Sequence, residues 1–251
     1  MSSAGRAGLD CMTNETDLSA ATAIVTGASR GFGRAIADAL AGAGAKVVGL
    51  ARSGQPPLIQ GDATDPALAE ELLRVHRPTA LVLNAGAVPP LGPIHELTWE
   101  QFSRNWHVDV RQAFVWARAA LTAPLAPGSV VVAVSSGAAL RGSPVSGGYA
   151  GAKATVRFVN GYAAAESARL GLGLRFVTLL PQLTPATELG AAGVAAYAER
   201  EGVDVASFVQ RLQPIVTPEL VGRAVVEVIG ASAGPPHAEF RLMGSGLEMI
   251  G

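Results

Sequence analysis

The chain has 251 residues, 49% of them hydrophobic and 16% charged, which suffices for one α/β domain with a substantial buried core. A formal net charge of −1 and a pI near 6.4 exclude a global field that would draw nucleic acid or an anionic membrane. The one cysteine, Cys11, excludes an internal disulfide framework and a cysteine-based zinc site, and reads as a free surface thiol.

Residues 1–19 are small and polar, carry Asp10, Glu15 and Asp17, and lack the apolar stretch of a secretory leader, so they read as a flexible tail. No uninterrupted apolar run reaches the ~18 residues of a membrane span, and the expected location is the cytoplasm. From residue 20 onward apolar runs and amphipathic segments alternate. Ala23–Thr26 reads as a strand ending in a glycine turn, Phe32–Gly42 as a helix, Lys46–Leu50 as a strand, and Leu58–Gln60 as a short one. Pro66–Val75 follows as a helix and Ala80–Leu83 as a strand ending at Asn84-Ala85-Gly86. A long helix is expected over Thr98–Thr122, with Thr98 as N-cap and Pro124 beyond its end. Val130–Val134 is the most β-like run, followed by a helix from Tyr149 to Leu170 and a strand at Leu174–Leu180. A helix at Pro218–Ile229 and a strand at Ala238–Met243 complete the chain. Continuous apolar strands separated by helices predict a doubly wound parallel sheet of the Rossmann type covered on both faces. We expect a single domain over residues 20–251, with a small helical substrate lid at about 183–216.

The turn Thr-Gly-Ala-Ser-Arg-Gly-Phe-Gly (26–33) lies between a strand and a helix, the context that makes a glycine pattern informative. Gly27, Gly31 and Gly33 permit the tight turn and let a pyrophosphate approach main-chain N–H groups at the helix N-terminus, with Ser29, Arg30 and Phe32 beside it. Dinucleotide folds commonly place an acid on the adenosine ribose about 20 residues after the glycines. Here the second strand ends Gly49-Leu50-Ala51-Arg52-Ser53, with no acid at 51 or 52. Arg52 and Arg30 suit a 2′-phosphate, so NADP(H) is preferred over NAD(H), the plain alternative being a solvated Arg52. Asp62, followed by Ala63, is placed to accept a hydrogen bond from the adenine amine, or else serves only to form the turn before Thr64.

Tyr149 and Lys153 stand four positions apart, on one face of a helix, and Ser136 lies thirteen residues before the tyrosine. A nearby cation favours a phenolate and makes a tyrosine a usable proton donor near neutrality. Together with the glycine turn, the set reads as a nucleotide-dependent carbonyl/alcohol oxidoreductase. These residues resemble the short-chain dehydrogenase/reductase family, through the TGxxxGxG turn at Thr26–Gly33, the NAG element at Asn84–Gly86, and Ser136, Tyr149 and Lys153. The resemblance runs from about Ala20 to the C-terminus. It implies that Tyr149 exchanges a proton with the substrate oxygen, and that Lys153 lowers the Tyr149 pKa and binds the nicotinamide ribose. Ser136 would hydrogen-bond the carbonyl oxygen. Asn84, Ala85 and Gly86 would line the adenosine side, and family members often form homodimers or homotetramers through their long helices.

Three departures stand out. Aligned on Thr98-Trp99-Glu100 and Phe114, the family's helix asparagine is Asp109 here, and Asn105 falls one turn early. The Pro-Gly usual after the sixth strand is Pro181-Gln182, where the side chain either crowds the nicotinamide or donates to it; Thr184 and Thr187 are candidates for carboxamide or diphosphate contacts. Only Ser53–Gly61 separates the second strand from Asp62, which leaves room for a turn or a stub rather than a helix.

Substrate contacts are expected from Ala87–Glu96, Gly137–Gly148 and Leu183–Val216. Leu189, Val194, Tyr197, Phe208 and Leu212, with the rim Pro89-Pro90-Leu91, favour an apolar or amphipathic carbonyl compound; Arg141 is a candidate for an anionic one. His95 and His107 have no matching partners and read as structural, so no metal is expected. The alternative to an NADPH-dependent carbonyl reductase is a non-catalytic NADP(H)-binding sensor or scaffold that keeps the fold. A dehalogenase-like or lyase-like use of the triad ranks last, because the glycine turn is intact.

Overall fold

A computed structural model describes residues 16–122, 125–231 and 234–250; Cys11 and Pro124 lie outside them. Strands β1 (Thr22–Thr26), β2 (Lys46–Ala51), β3 (Ile59–Gln60), β4 (Ala80–Leu83), β5 (Val130–Val134), β6 (Arg175–Pro181), β7 (His237–Met243) and β8 (Gly246–Met249) form one sheet. Its order is β3-β2-β1-β4-β5-β6-β7-β8, parallel through β7 and antiparallel at β8. Alternating side chains of the central strands feed two cores, as a sheet covered on both faces requires. On one face Ala23, Val25 and Val132 meet Ile36 and Leu40 of α1 (Gly31–Gly42) and Val221 and Val225 of α9 (Pro218–Gly230). On the other, Ile24, Leu81 and Val131 meet Leu73 of α2 (Pro66–His76), Trp116 of α4 (Arg111–Thr122) and Ala164 of α6 (Gly147–Arg169).

Local chemistry fixes where several helices begin. The Asp65 carboxylate accepts from the Ala67 amide with Pro66 in the first turn, Thr98 and Gln101 form a reciprocal capping box at α3 (Trp99–Asn105), and Thr217 caps α9. The segment 52–58 links β2 to β3 without a helix, as the spacing requires. The helix expected over 98–122 is not uniform. Between α3 and α4 it widens into a π-turn at Trp106–Val110, the kind of insertion that re-aims side chains at functional sites. A short α5 (Ala138–Arg141) and the strand β8 were not foreseen. Leu18, inside the segment expected to be a tail, is buried and its amide donates to the Ala43 carbonyl. Residues 183–216 carry α7 (Glu188–Glu201) and α8 (Val205–Gln210), in which Val194, Ala198 and Phe208 form a small core of their own, with Leu183, Tyr197 and Leu212 against it.

Candidate active site

Adjacent strands β1 and β4 lead away in opposite senses through the sheet, and the crevice at such a reversal is where open α/β sheets bind ligands. The glycine turn after β1 and Asn84-Ala85-Gly86 after β4 meet there. A Cβ on Gly27 would sit 2.8 Å from the Ala85 Cα, and one on Gly33 would fall on the Gly27 carbonyl and the Asn84 amide. Gly27 and Gly31 have φ of +69° and +55°, values that favour glycine. The Asn84 amide nitrogen donates to the Thr26 and Gly27 carbonyls at 3.3 and 3.4 Å, so this side chain clamps the turn to β4. Thr26 Oγ1 accepts from the Asn84 and Ala85 amides (3.0 and 3.1 Å) and contacts Gln112 Oε1 at 2.5 Å. Gln112 Nε2 donates in turn to the Ala85 carbonyl at 2.5 Å. Gln112, buried on α4, was not singled out from the sequence, where nothing marks a lone glutamine as a hub.

The first turn of α1 has no side-chain cap, so its orphan N–H groups remain available. A pyrophosphate fits that chemistry: a glycine turn tolerating close backbone approach, with unsatisfied donors at the positive end of a twelve-residue helix. Ser29 and Phe32 are half-buried and Arg30 and Gly31 exposed at this end. Arg30 pairs with Glu188, the first residue of α7, whose cap Thr187 comes within 3.9 Å of a Cβ built on Gly31. Arg52, at the end of β2, is exposed. The Asp62 carboxyl is held below the usual carboxylate range, first by the Thr64 amide donating at 2.8 Å and to a lesser degree by the charges of Arg52 and Arg111. The turn-forming role considered for Asp62 is therefore present. Ala63 is buried and its carbonyl accepts from the Trp116 indole.

The catalytic candidates converge from β5, the π-turn and α6. Ser136 follows β5, its hydroxyl accepting from the Ala138 amide at 3.2 Å. Lys153 Nζ lies 5.7 Å from the centre of the Tyr149 ring, donates to the Val134 carbonyl at 3.1 Å, and is 3.2 Å from Asp109 Oδ2. The Lys153 and Asp109 side chains are 8% and 1% exposed. Asp109 Oδ2 makes no well-aligned hydrogen bond, so the contact is an ion pair. Burial pulls the Lys153 pKa down, but the charges of Asp109 and Tyr149 outweigh it and hold the ammonium above the ordinary lysine value.

Asn105, one turn before Asp109, supports that carboxylate rather than taking its place. Its Nδ2 donates to the Ala87 carbonyl at 2.8 Å and to Asp109 Oδ1 at 3.2 Å, while Asp109 Oδ1 also accepts from the Ala87 amide at 2.9 Å. The two side chains thereby grip both polar groups of Ala87, just past the NAG element. Gly86 is fitted to the carboxylate, since a Cβ there would lie 2.9 Å from Asp109 Oδ2.

At the end of β6, the Pro181 carbonyl accepts from the Gly137 amide and the Gln182 amide donates to the Leu242 carbonyl, each at 2.9 Å. Thr184 is buried, with its hydroxyl donating to the Val216 carbonyl and accepting from the Ala186 amide. Leu189 is exposed, whereas Val194 and Phe208 are buried within the α7–α8 core. Arg141 is exposed at the end of α5. His107 lies 3.5 Å from the Ser103 hydroxyl. Among the described residues no three His, Cys, Asp or Glu side chains cluster as a metal site, and no helix is long and apolar enough to cross a membrane.

A doubly wound parallel sheet with a glycine turn at its switch point is the arrangement of a Rossmann-type nucleotide-binding fold. The family model described as short chain dehydrogenase matches residues 21–196, and the chain belongs to that family. It is 30% identical to versicolorin reductase 1 of Aspergillus parasiticus over 165 residues, 58% of this chain and 63% of that protein. It is 36% identical to L-xylulose reductase of Bos taurus over 135 residues, 48% of this chain and 54% of the relative. The matched segment thus spans less than two thirds of either relative. Among solved structures, a candidate NAD(P)-dependent gluconate 5-dehydrogenase from Beutenbergia cavernae, with NADP bound at low occupancy, superposes with a TM-score of 0.76. Identity there is 28%, covering 92% of this chain and 98% of the other.

Proposed function

We propose that the protein is a cytoplasmic NADPH-dependent reductase of ketones or aldehydes, able to run in reverse as an alcohol dehydrogenase. The observation that carries this reading is the buried Lys153 ammonium, 5.7 Å from the Tyr149 ring on the same face of α6. Tyr149 donates its hydroxyl proton to the substrate oxygen, and Ser136 donates a hydrogen bond to that oxygen as charge develops on it. Lys153 holds the nicotinamide ribose and stabilises the phenolate left after proton transfer; Asp109 and Asn105 hold Lys153. When bound, the nicotinamide supplies the hydride.

NADP(H) is favoured over NAD(H) because Arg30 and Arg52 flank the adenosine side and no acid closes β2. Gly27, Gly31 and Gly33 with Ser29 and Phe32 would hold the pyrophosphate. Asp62, Ala63, Asn84, Ala85 and Gly86 would border the adenosine, and Pro181, Gln182 and Thr184 the nicotinamide. The α7–α8 segment serves as the substrate lid. Phe158 and Tyr162 of α6, with ring centres 6.1 Å apart, are exposed at 68% and 61%, an aromatic patch that supports a homodimer or homotetramer.

The test follows NADPH oxidation against apolar and amphipathic ketones, aldehydes and quinones, beside the Tyr149→Phe variant. Turnover in the parent, lowered by at least ~100-fold in the variant with NADPH affinity retained, is expected. Tight NADPH binding with no turnover of any carbonyl would instead favour the non-catalytic sensor.

A further inference from the structure

We propose that the cleft between the 92–97 loop, α3 and α7 is a specificity site for the anionic end of the substrate, with Arg200 as the residue that holds it. The cleft is half open to solvent, with a volume of about 420 Å³, and its lining contains none of Ser136, Tyr149 or Lys153. Gly147, the first residue of α6, lines it, as do Ser143 and Pro144 of the loop that leads into the Tyr149 helix.

Its walls are apolar: Pro93, Ile94, Leu97, Phe102 and Pro144. The charged or chargeable groups lining it are His95 and Arg200, and no carboxylate does so. Arg200 has no carboxylate within 4 Å among the described residues, whereas its neighbour Glu201 is already paired with Arg211 at 2.7 Å. An unpaired guanidinium over an apolar cavity matches an apolar body ending in a carboxylate or a similar anion.

The placement of Arg200 is built into the fold. Tyr197, one helical turn earlier on α7, donates its hydroxyl to Ser143 Oγ at 2.7 Å, and Ser143 is 2.8 Å from Ser146 Oγ, the residue before α6. This chain ties α7 to the loop that leads into the Tyr149 helix, and residues three apart share a helix face. Of the apolar side chains expected to line the lid, Val194, Tyr197, Phe208 and Leu212 pack in its own core and Leu189 is exposed; Arg200 is the lid residue that lines the cleft. For the carbonyl the proposal rests on the reductase reading; for the anion it rests on the cleft alone.

The test compares two fluorescent probes, anilinonaphthalene sulfonate, an apolar anion, and the neutral N-phenylnaphthylamine, titrated into the full chain at low ionic strength. Arg200→Gln is expected to weaken the anionic probe about tenfold, the scale of one lost charge-assisted contact, and to leave the neutral probe unchanged. Leu97→Trp, which fills the cleft, should weaken both. Failure of the parent to bind the anion, indifference of the anion to Arg200→Gln, equal loss of both probes in that variant, or indifference of both to Leu97→Trp would each overturn the proposal. Neither titration requires a nicotinamide or turnover, so a failure of the reductase reading would register separately, as NADPH left unoxidised.

Discussion

Replacing Asp109 by asparagine preserves the side chain's shape and removes its charge. At 3.2 Å, an effective dielectric of ~20 puts the gross Lys153–Asp109 attraction at roughly 5 kcal/mol. Both side chains are buried, so solvent screens little of it, but the cost of desolvating two ions offsets a part, and an amide oxygen in the variant still faces the ammonium. The expected loss of stability at neutral pH is about 2–4 kcal/mol, read from urea unfolding. Its pH dependence identifies the cause. In the parent the folded Lys153 pKa is raised, so the contribution is fully present below the unfolded lysine value of about 10.4 and is lost only as pH rises through the higher folded value. Without the carboxylate, burial dominates and the folded pKa drops below the unfolded one. The variant should then gain stability as pH rises from about 7 towards 10, closing the gap to the parent. A variant as stable as the parent at neutral pH, or a gap that stays constant over that range, would refute the reasoning.

Gly33→Ala places a methyl on the Gly27 carbonyl and the Asn84 amide, so the turn has to shift; NADPH affinity measured by calorimetry should fall at least ~10-fold, with a stability loss of about 1–3 kcal/mol. Gln112→Ala strips partners from Thr26 and the Ala85 carbonyl and is expected to cost roughly 2 kcal/mol, lowering Tm by about 4–8 °C in thermal unfolding. Arg30→Gln and Arg52→Gln should each lower the ratio of kcat/KM for NADPH over NADH by about tenfold. An unchanged ratio in both would remove the basis for NADP preference.

The sheet was legible because parallel strands buried on both faces are continuous apolar runs. Ala80–Leu83 and Val130–Val134 have the bounds their composition implies. Asp65-Pro66, Thr98 and Thr217-Pro218 announce helix starts through the cap and the proline together. Strand β8 escaped because it pairs on one edge only and is half exposed, so no apolar run marks it. The signal that could have found it is Gly244-Ser245, two turn-forming residues between β7 and an antiparallel partner. The α7–α8 segment was legible as helical, but not in what its apolar residues do, since a self-contained core and a ligand-facing wall have the same periodicity.

Of the candidate site, the placement of Tyr149 and Lys153 on one helix face and of Ser136 just past a strand was legible from spacing. The support beneath them was not. Asn105 lies one helical turn before Asp109, so the two side chains share a face and Nδ2 of Asn105 reaches Asp109 Oδ1. Asn105 and Asp109 then both reach the backbone of Ala87, a residue eighteen and twenty-two positions away, and only the fold brings it there. The substitution of a carboxylate for an amide at 109 also takes on meaning in three dimensions. As an isolated change it adds a buried charge, which is costly. Beside Lys153, with Oδ1 satisfied by Ala87 and Asn105, it compensates the one buried cation of the site and fixes its position. A positively charged lysine held by its own counter-ion keeps its place without a ligand, so this face of α6 is organised in the protein alone.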